Sequence, residues 1–168
     1  MTSRKEAFRT YQPDNPSTCQ LSDHLTASLS FTVRIAPVSE ADFELKTAGK
    51  ACPIVRLVPG QIVTQGITAD VAAKDGRWCF SPDRDLALAA CIERHRASGK
   101  IGLGLVQGFG FQRGGALGSS VAHDSHNLII VGTNPSDMLV CVQALARSGG
   151  GFVAAADGQV LAELPLSV

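Results

Sequence analysis

The sequence carries no surplus of either charge. Fifteen Lys and Arg face fifteen Asp and Glu, so no basic field exists to hold nucleic acid or an anionic membrane. A small neutral ligand such as a free nucleobase stays compatible with this balance. Cysteine pairing is lacking too. The five cysteines, Cys19, Cys52, Cys79, Cys91 and Cys141, are scattered, odd in number and never spaced C-x-x-C. That argues against a disulfide framework and a cysteine zinc site. Several lie inside apolar runs, where a thiol behaves as a small hydrophobe, and a reducing cytoplasm is the expected compartment. No apolar run is long enough to span a bilayer, and the opening residues lack a signal-peptide core. A cytoplasmic protein, or a piece of one, is expected.

What is present is a chain of 168 residues, 45% of them hydrophobic, enough for one well-buried core and too short for two. Residues 1–30 are rich in Ser, Thr, Asn and Pro and read as an irregular lead-in, with His24 a solvated side chain. Phe31 to Ile35 alternates apolar and polar residues, which predicts a half-buried strand. Ser39 precedes Glu40 and Asp42 as the cap of a short helical turn. Pro53 to Val58 reads as a strand closed by Pro59-Gly60. Asp75-Gly76 is a tight-hairpin signature. Leu86 to His95 is helical by propensity, but the turn at Ser98-Gly99-Lys100 and the strand-like Ile101 to Phe111 favour a buried strand. Within the latter, Gly102 and Gly104 alternate with apolar residues and fit neither G-x-G-x-x-G nor G-K-[ST]. They read as a strand that another backbone can approach closely, and not as a phosphate loop. Ala116 to Ala122 and Leu128 to Val131 are further strands. Thr133-Asn134-Pro135 opens a helix, the stripe Met138, Leu139, Val142, Leu145 continues it, and Gly149 to Gly151 end it. A final hairpin turns at Asp157-Gly158. The expected fold is α+β: a single domain with a mixed, mostly antiparallel sheet built from hairpins, one helix at about 135–148, and short flanking helices.

Two of the four histidines fall in Ser119-Ser120-Val121-Ala122-His123-Asp124-Ser125-His126-Asn127, a polar stretch between glycines and an apolar strand. Imidazoles exchange protons near neutral pH, and a carboxylate between them can fix a tautomer or bind a cation. A metal held by this chain alone is disfavoured, since only Asp124, His95 or a partner could complete a set of three or four ligands. A nucleophilic Ser120 or Ser125 lacks a G-x-S-x-G elbow. Two readings stay open on spacing alone: a loop that closes over a ligand held elsewhere, and a hydrogen-bonded turn satisfying its own backbone.

The wording of several stretches adds a further constraint. Ile101 to Gly110, Arg113 to Asn134 and Asp137-Met138 resemble the C-terminal domain of bacterial adenine deaminases, members of the amidohydrolase superfamily. Thr32-Val33-Arg34, Asp42-Phe43, Pro59 to Thr64, Glu93-Arg94-His95, Gly149 to Gly151 and Leu161 to Leu166 match that family in the same order, so the family-like domain is placed at residues 31–168. The resemblance implies a hydrolase that converts adenine and water to hypoxanthine and ammonia in purine salvage. It also implies a pair of manganese or iron ions held in an N-terminal TIM barrel. This chain has no H-x-H pair, and a barrel alone needs roughly 250 residues, so no metal ligand is assigned to it. It also lacks the H-x-E and P-C-x-x-C signature of zinc nucleobase deaminases. The expectation is a non-barrel part of such an enzyme, inactive in isolation. His123, Asp124 and His126 are its catalytic candidates in a loop over the active site, and Ser120, Ser125, Asn127 and His95 are candidates for substrate binding. The implied partners are an amidohydrolase barrel domain or chain and adenine, without nucleic acid or membrane; a homo-oligomer is compatible. The alternatives are a non-catalytic docking or oligomerisation domain, or a truncated gene product without activity.

Overall fold

The computed structural model describes residues 33–47, 51–123 and 125–166; the expected lead-in, His24 and Asp124 lie outside them. Eight strands form one open sheet. They are β1 (Cys52–Leu57), β2 (Thr64–Ala69), β5 (Leu86–Ile92), β6 (Ile101–Gln107), β7 (Ala116–Ser119), β8 (Leu128–Gly132), β9 (Gly151–Ala156) and β10 (Gln159–Pro165), in the order β10-β9-β7-β8-β5-β6-β1-β2. β3 (Ala73–Lys74) and β4 (Arg77–Trp78) make a separate small ladder. All neighbours are antiparallel except β1 and β6, which run parallel with Ile54 opposite Leu105. The expected α+β class, with a mostly antiparallel sheet, one α-helix and no barrel, is what the described residues adopt.

Local chemistry accounts for the turns. Asp75 and Gly76 both take positive φ, 52° and 73°, and Asp157 and Gly158 repeat this at 53° and 74°. Both pairs supply the left-handed conformations that match a two-residue hairpin to strand twist. Leu86 to Ile92, despite its helix-favouring Leu and Ala, is a central strand between β6 and β8. Its ladder on both sides and its burial override propensity.

The helix α1 (Pro135–Ser148) starts where a proline needs no amide partner. Asn134 Oδ1 accepts the Asp137 N–H at 2.8 Å, and Gly149 ends the helix at φ 78°. Asp137 is itself buried, and its Oδ1 accepts the Gly158 N–H at 2.8 Å, tying the first helical turn to the last hairpin. Met138, Cys141, Val142 and Leu145 pack on one face of the sheet against Ala116, Leu128, Ile130 and Val153. Each large side chain so buried contributes about 1.5–3 kcal/mol. Two glycines make room for the helix. A Cβ on Gly132 would lie 2.5 Å from Met138 Cγ, and one on Gly118 would lie 3.0 Å from Leu145 Cδ1.

Three expectations are corrected. Val33 to Ile35 form no strand; the Arg34 backbone instead bonds the turn after β5, donating to Arg94 O at 2.7 Å and accepting from Ala97 N at 3.2 Å. The strand begun at Ile101 stops at Gln107, where Gly108 takes φ 107°. The strand begun at Ala116 stops at Ser119, whose Oγ accepts the Val121 N–H at 2.9 Å. The helical turn at Glu40–Phe43 is present, with the Ser39 N–H and Oγ–H both donating to Asp42 Oδ2 at 2.8 Å. Among the described residues no helix is long and apolar enough to cross a membrane.

Candidate functional site

Strand pairing brings the polar stretches together. β5 and β8 are antiparallel, with Ile92 opposite Leu128. Glu93 to His95, which follow Ile92, therefore lie beside Asn127, His126 and Ser125, which precede Leu128. Two contacts join the segments. His95 Nε2 lies 2.7 Å from the Ser125 carbonyl oxygen, and the Arg94 Nε–H donates to the carbonyl of His126. A carbonyl can only accept, so His95 carries its proton on Nε2 and, when neutral, leaves Nδ1 as an acceptor.

The turn after β5 is held by Glu93. Its Oε1 accepts the backbone N–H groups of His95 and Arg96 at 2.6 and 2.8 Å, and its Oε2 accepts the Ser98 N–H and hydroxyl at 3.0 and 2.8 Å. The Ser98 backbone bond is the main cause that draws the Glu93 carboxyl down to about 2. Arg94 is buried, and desolvation lowers its pKa from the ordinary value. Together they fix the carbonyls of Ser125 and His126 against the sheet end.

Each candidate has a distinct setting. Ser120 is fully buried, its Oγ accepting the Gly151 N–H at 2.8 Å and its N–H donating to Gly151 O at 3.0 Å. It closes the base of the loop and faces no solvent. His123 and Ser125 are exposed, and the Ser125 N–H bonds back to His123 O at 3.0 Å. His126 takes φ 48°, an unusual conformation for a side-chain-bearing residue. Its N–H donates to Ala122 O at 3.1 Å. Among the described residues, two buried side-chain atoms lack a hydrogen-bond partner, and both are here: His126 Nδ1 and Asn127 Oδ1. Buried polar atoms are nearly always satisfied, so this pair calls for a partner from water, a ligand or a neighbouring surface. The structure thus joins His95, Ser125, His126 and Asn127, leaves His123 at the exposed tip, and sets Ser120 apart. Arg94, which matched the family pattern with Glu93 and His95, was not among the candidates; its bond to the His126 carbonyl adds it to the site.

No group of three or more His, Cys, Asp and Glu side chains able to hold a metal occurs among the described residues. The family described as adenine deaminase C-terminal domain matches residues 61–168. The chain belongs to that family. As an adenine deaminase C-terminal domain it is similar to the adenine deaminase of Nitratidesulfovibrio vulgaris strain DP4, 40% identical over 162 residues, covering 96% of this chain and 28% of that protein. The adenine deaminase of Desulfatibacillum aliphaticivorans is 47% identical over 131 residues, 78% of this chain and 23% of its own length. That of Gluconobacter oxydans is 42% identical over 132 residues, 79% and 23% of the two chains. This domain thus spans about a quarter of the curated relatives it matches, and the loop at Ser119–Asn127 lies inside the matched family region.

Proposed function

We propose that the chain serves as the C-terminal part of an adenine deaminase-type hydrolase, releasing ammonia from adenine. In this reading its 120–127 loop covers a reaction pocket built by the part of the enzyme that this chain does not span. The supporting observation is the orphaned pair, His126 Nδ1 and Asn127 Oδ1, buried at a corner where Arg94 and His95 grip the backbone. A purine offers ring nitrogens and an exocyclic amine that would satisfy one acceptor and one imidazole nitrogen. His123, with Asp124 beside it in sequence, stands at the tip to exchange protons or bind departing ammonia. The described residues do not fit a manganese or iron pair, so the metals belong to the remainder of the enzyme. The chain's own contribution is to orient the purine, move a proton at an imidazole nitrogen and exclude water.

The test is a chimera in which this chain replaces the matching part of the Nitratidesulfovibrio vulgaris enzyme. His126→Ala should lower kcat/KM for adenine by roughly tenfold or more, about 1.4 kcal/mol of transition-state stabilisation. His123→Ala should lower kcat for adenine by roughly tenfold. Unchanged kcat and KM in both variants would leave the loop as a structural corner and favour a non-catalytic docking domain.

A further inference from the structure

The loop chemistry leaves the sheet's second face unused. α1 covers one face only. By alternation and register, the strand residues of the opposite face carry no Asp, Glu, Lys or Arg from β2 across to β9. Large apolar side chains stand open there: Leu117 is 44% exposed, Phe152 43% and Leu164 57%. With Phe109 and Ile129 they line a groove of about 390 Å³.

Three glycines sharpen the observation. Gly66, Gly102 and Gly104 stand on this face, none with positive φ, and a Cβ on any of them would meet nothing within 4 Å. Neither backbone conformation nor crowding within the described residues calls for glycine, which destabilises a strand interior by roughly 0.5–1 kcal/mol relative to Ala. A strand glycine with no internal cause marks close approach by another backbone. The close approach expected from the Gly102 and Gly104 alternation thus comes from outside the described residues.

We infer that this uncharged, glycine-floored face is where the N-terminal remainder of the deaminase docks. This rests on the reading of the chain as part of such an enzyme. The relatives extend well beyond this domain, which covers 28% of one of them, and that remainder, tethered in the same polypeptide, meets the face at millimolar-range effective concentration. An antiparallel sheet packed on one side alone leaves an apolar surface that soluble monomers rarely expose. Residues 1–32 fit the face poorly, since they carry Arg4, Lys5, Glu6, Arg9, Asp14 and Asp23.

Cys91 gives a built-in reporter. It is exposed, on this face, between Gly102 of β6 and Ile129 of β8. Its maleimide labelling, mapped by mass spectrometry, is compared in the free chain and in the chimera described above. Labelling should slow roughly tenfold or more in the chimera as the thiol is covered. Gly104→Glu should not lower the melting temperature of the free chain but should restore fast Cys91 labelling in the chimera. If the fusion does not fold, the same comparison is made with the N-terminal part added in trans. Equally fast labelling with and without the N-terminal part overturns the docking, and ammonia release by that same assembly would show the functional reading surviving it. Protection without ammonia release sustains the docking and counts against the functional reading. Concentration-dependent protection in the free chain, with a dimer by ultracentrifugation, assigns the face to a second copy and overturns the proposal. Faster labelling of the free chain on deletion of residues 1–32 assigns it to the chain's own N-terminus and does the same.

Discussion

Adding one methyl group to each face of the sheet should have opposite effects. In Gly132→Ala the new Cβ would sit 2.5 Å from Met138 Cγ and 2.9 Å from Ala116 Cβ. Met138 is fully buried in the first turn of α1 and Ala116 is the direct partner of Gly132 on β7, so neither atom can swing into solvent. Relief requires the start of α1 to lift from the sheet, an overpacking penalty of about 1–3 kcal/mol. The reduced freedom of the unfolded chain offsets about 0.4–1 kcal/mol of this. A net loss of about 1.3 kcal/mol follows, which lowers the melting temperature by roughly 3–5 °C for a chain of this size. Gly104→Ala meets nothing within 4 Å, so only the unfolded-state effect acts, and the melting temperature should rise by about 1–4 °C. Calorimetry or circular-dichroism melts of the two variants and the parent decide it. A Gly132→Ala protein that melts at or above the parent would mean that α1 does not rest directly on β8. A Gly104→Ala protein destabilised as much as Gly132→Ala would mean that the second face is covered from within.

Glu93 should give stability a specific pH dependence. Its folded-state carboxyl, drawn to about 2 chiefly by the Ser98 backbone bond, lies below its ordinary value. Its stabilisation is therefore present above about 4.5 and is lost as pH falls from there toward 2. Glu93→Gln should accordingly melt lower than the parent at pH 7, with the gap closing across that window; a constant gap from pH 7 to 2 would refute the role. Burial first, and Asp137 second, push the Cys141 thiol up to about 12. At pH 8 a disulfide reagent should modify Cys91 promptly and Cys141 only after denaturation, and native-state labelling of Cys141 would contradict the packing of α1.

Much of this fold was legible because its signals are local. Asp75-Gly76 and Asp157-Gly158 dictate hairpins through φ, and Asn134-Pro135 opens a helix through capping, irrespective of the rest of the chain. Leu86 to Ile92 was read as a strand only from its neighbours, since its own propensities point to a helix. The order of strands was not legible. β1 pairs parallel with β6, and β7 separates β8 from β9, long-range pairings that no local turn or capping signal sets. Val33 to Ile35, the described part of the strand expected at Phe31 to Ile35, form no ladder: alternation predicts one only where a partner strand is free, and here the Arg94 and Ala97 backbone takes Arg34 instead. The polar loop was visible as composition. Its union with Arg94 and His95, and the withdrawal of Ser120 to Gly151, needed the β5–β8 register.

The grip on the loop falls on carbonyl oxygens: Arg94 and His95 hold the backbone of residues 126 and 125, not their side chains. Posture and reactivity are thereby uncoupled. Substitutions at His123 or Ser125 can alter the chemistry the corner presents while its path through space persists. At His126 the left-handed backbone narrows the choice toward Asn, Asp or Gly. The side chains at the tip can therefore change one at a time, without the scaffold having to be refitted.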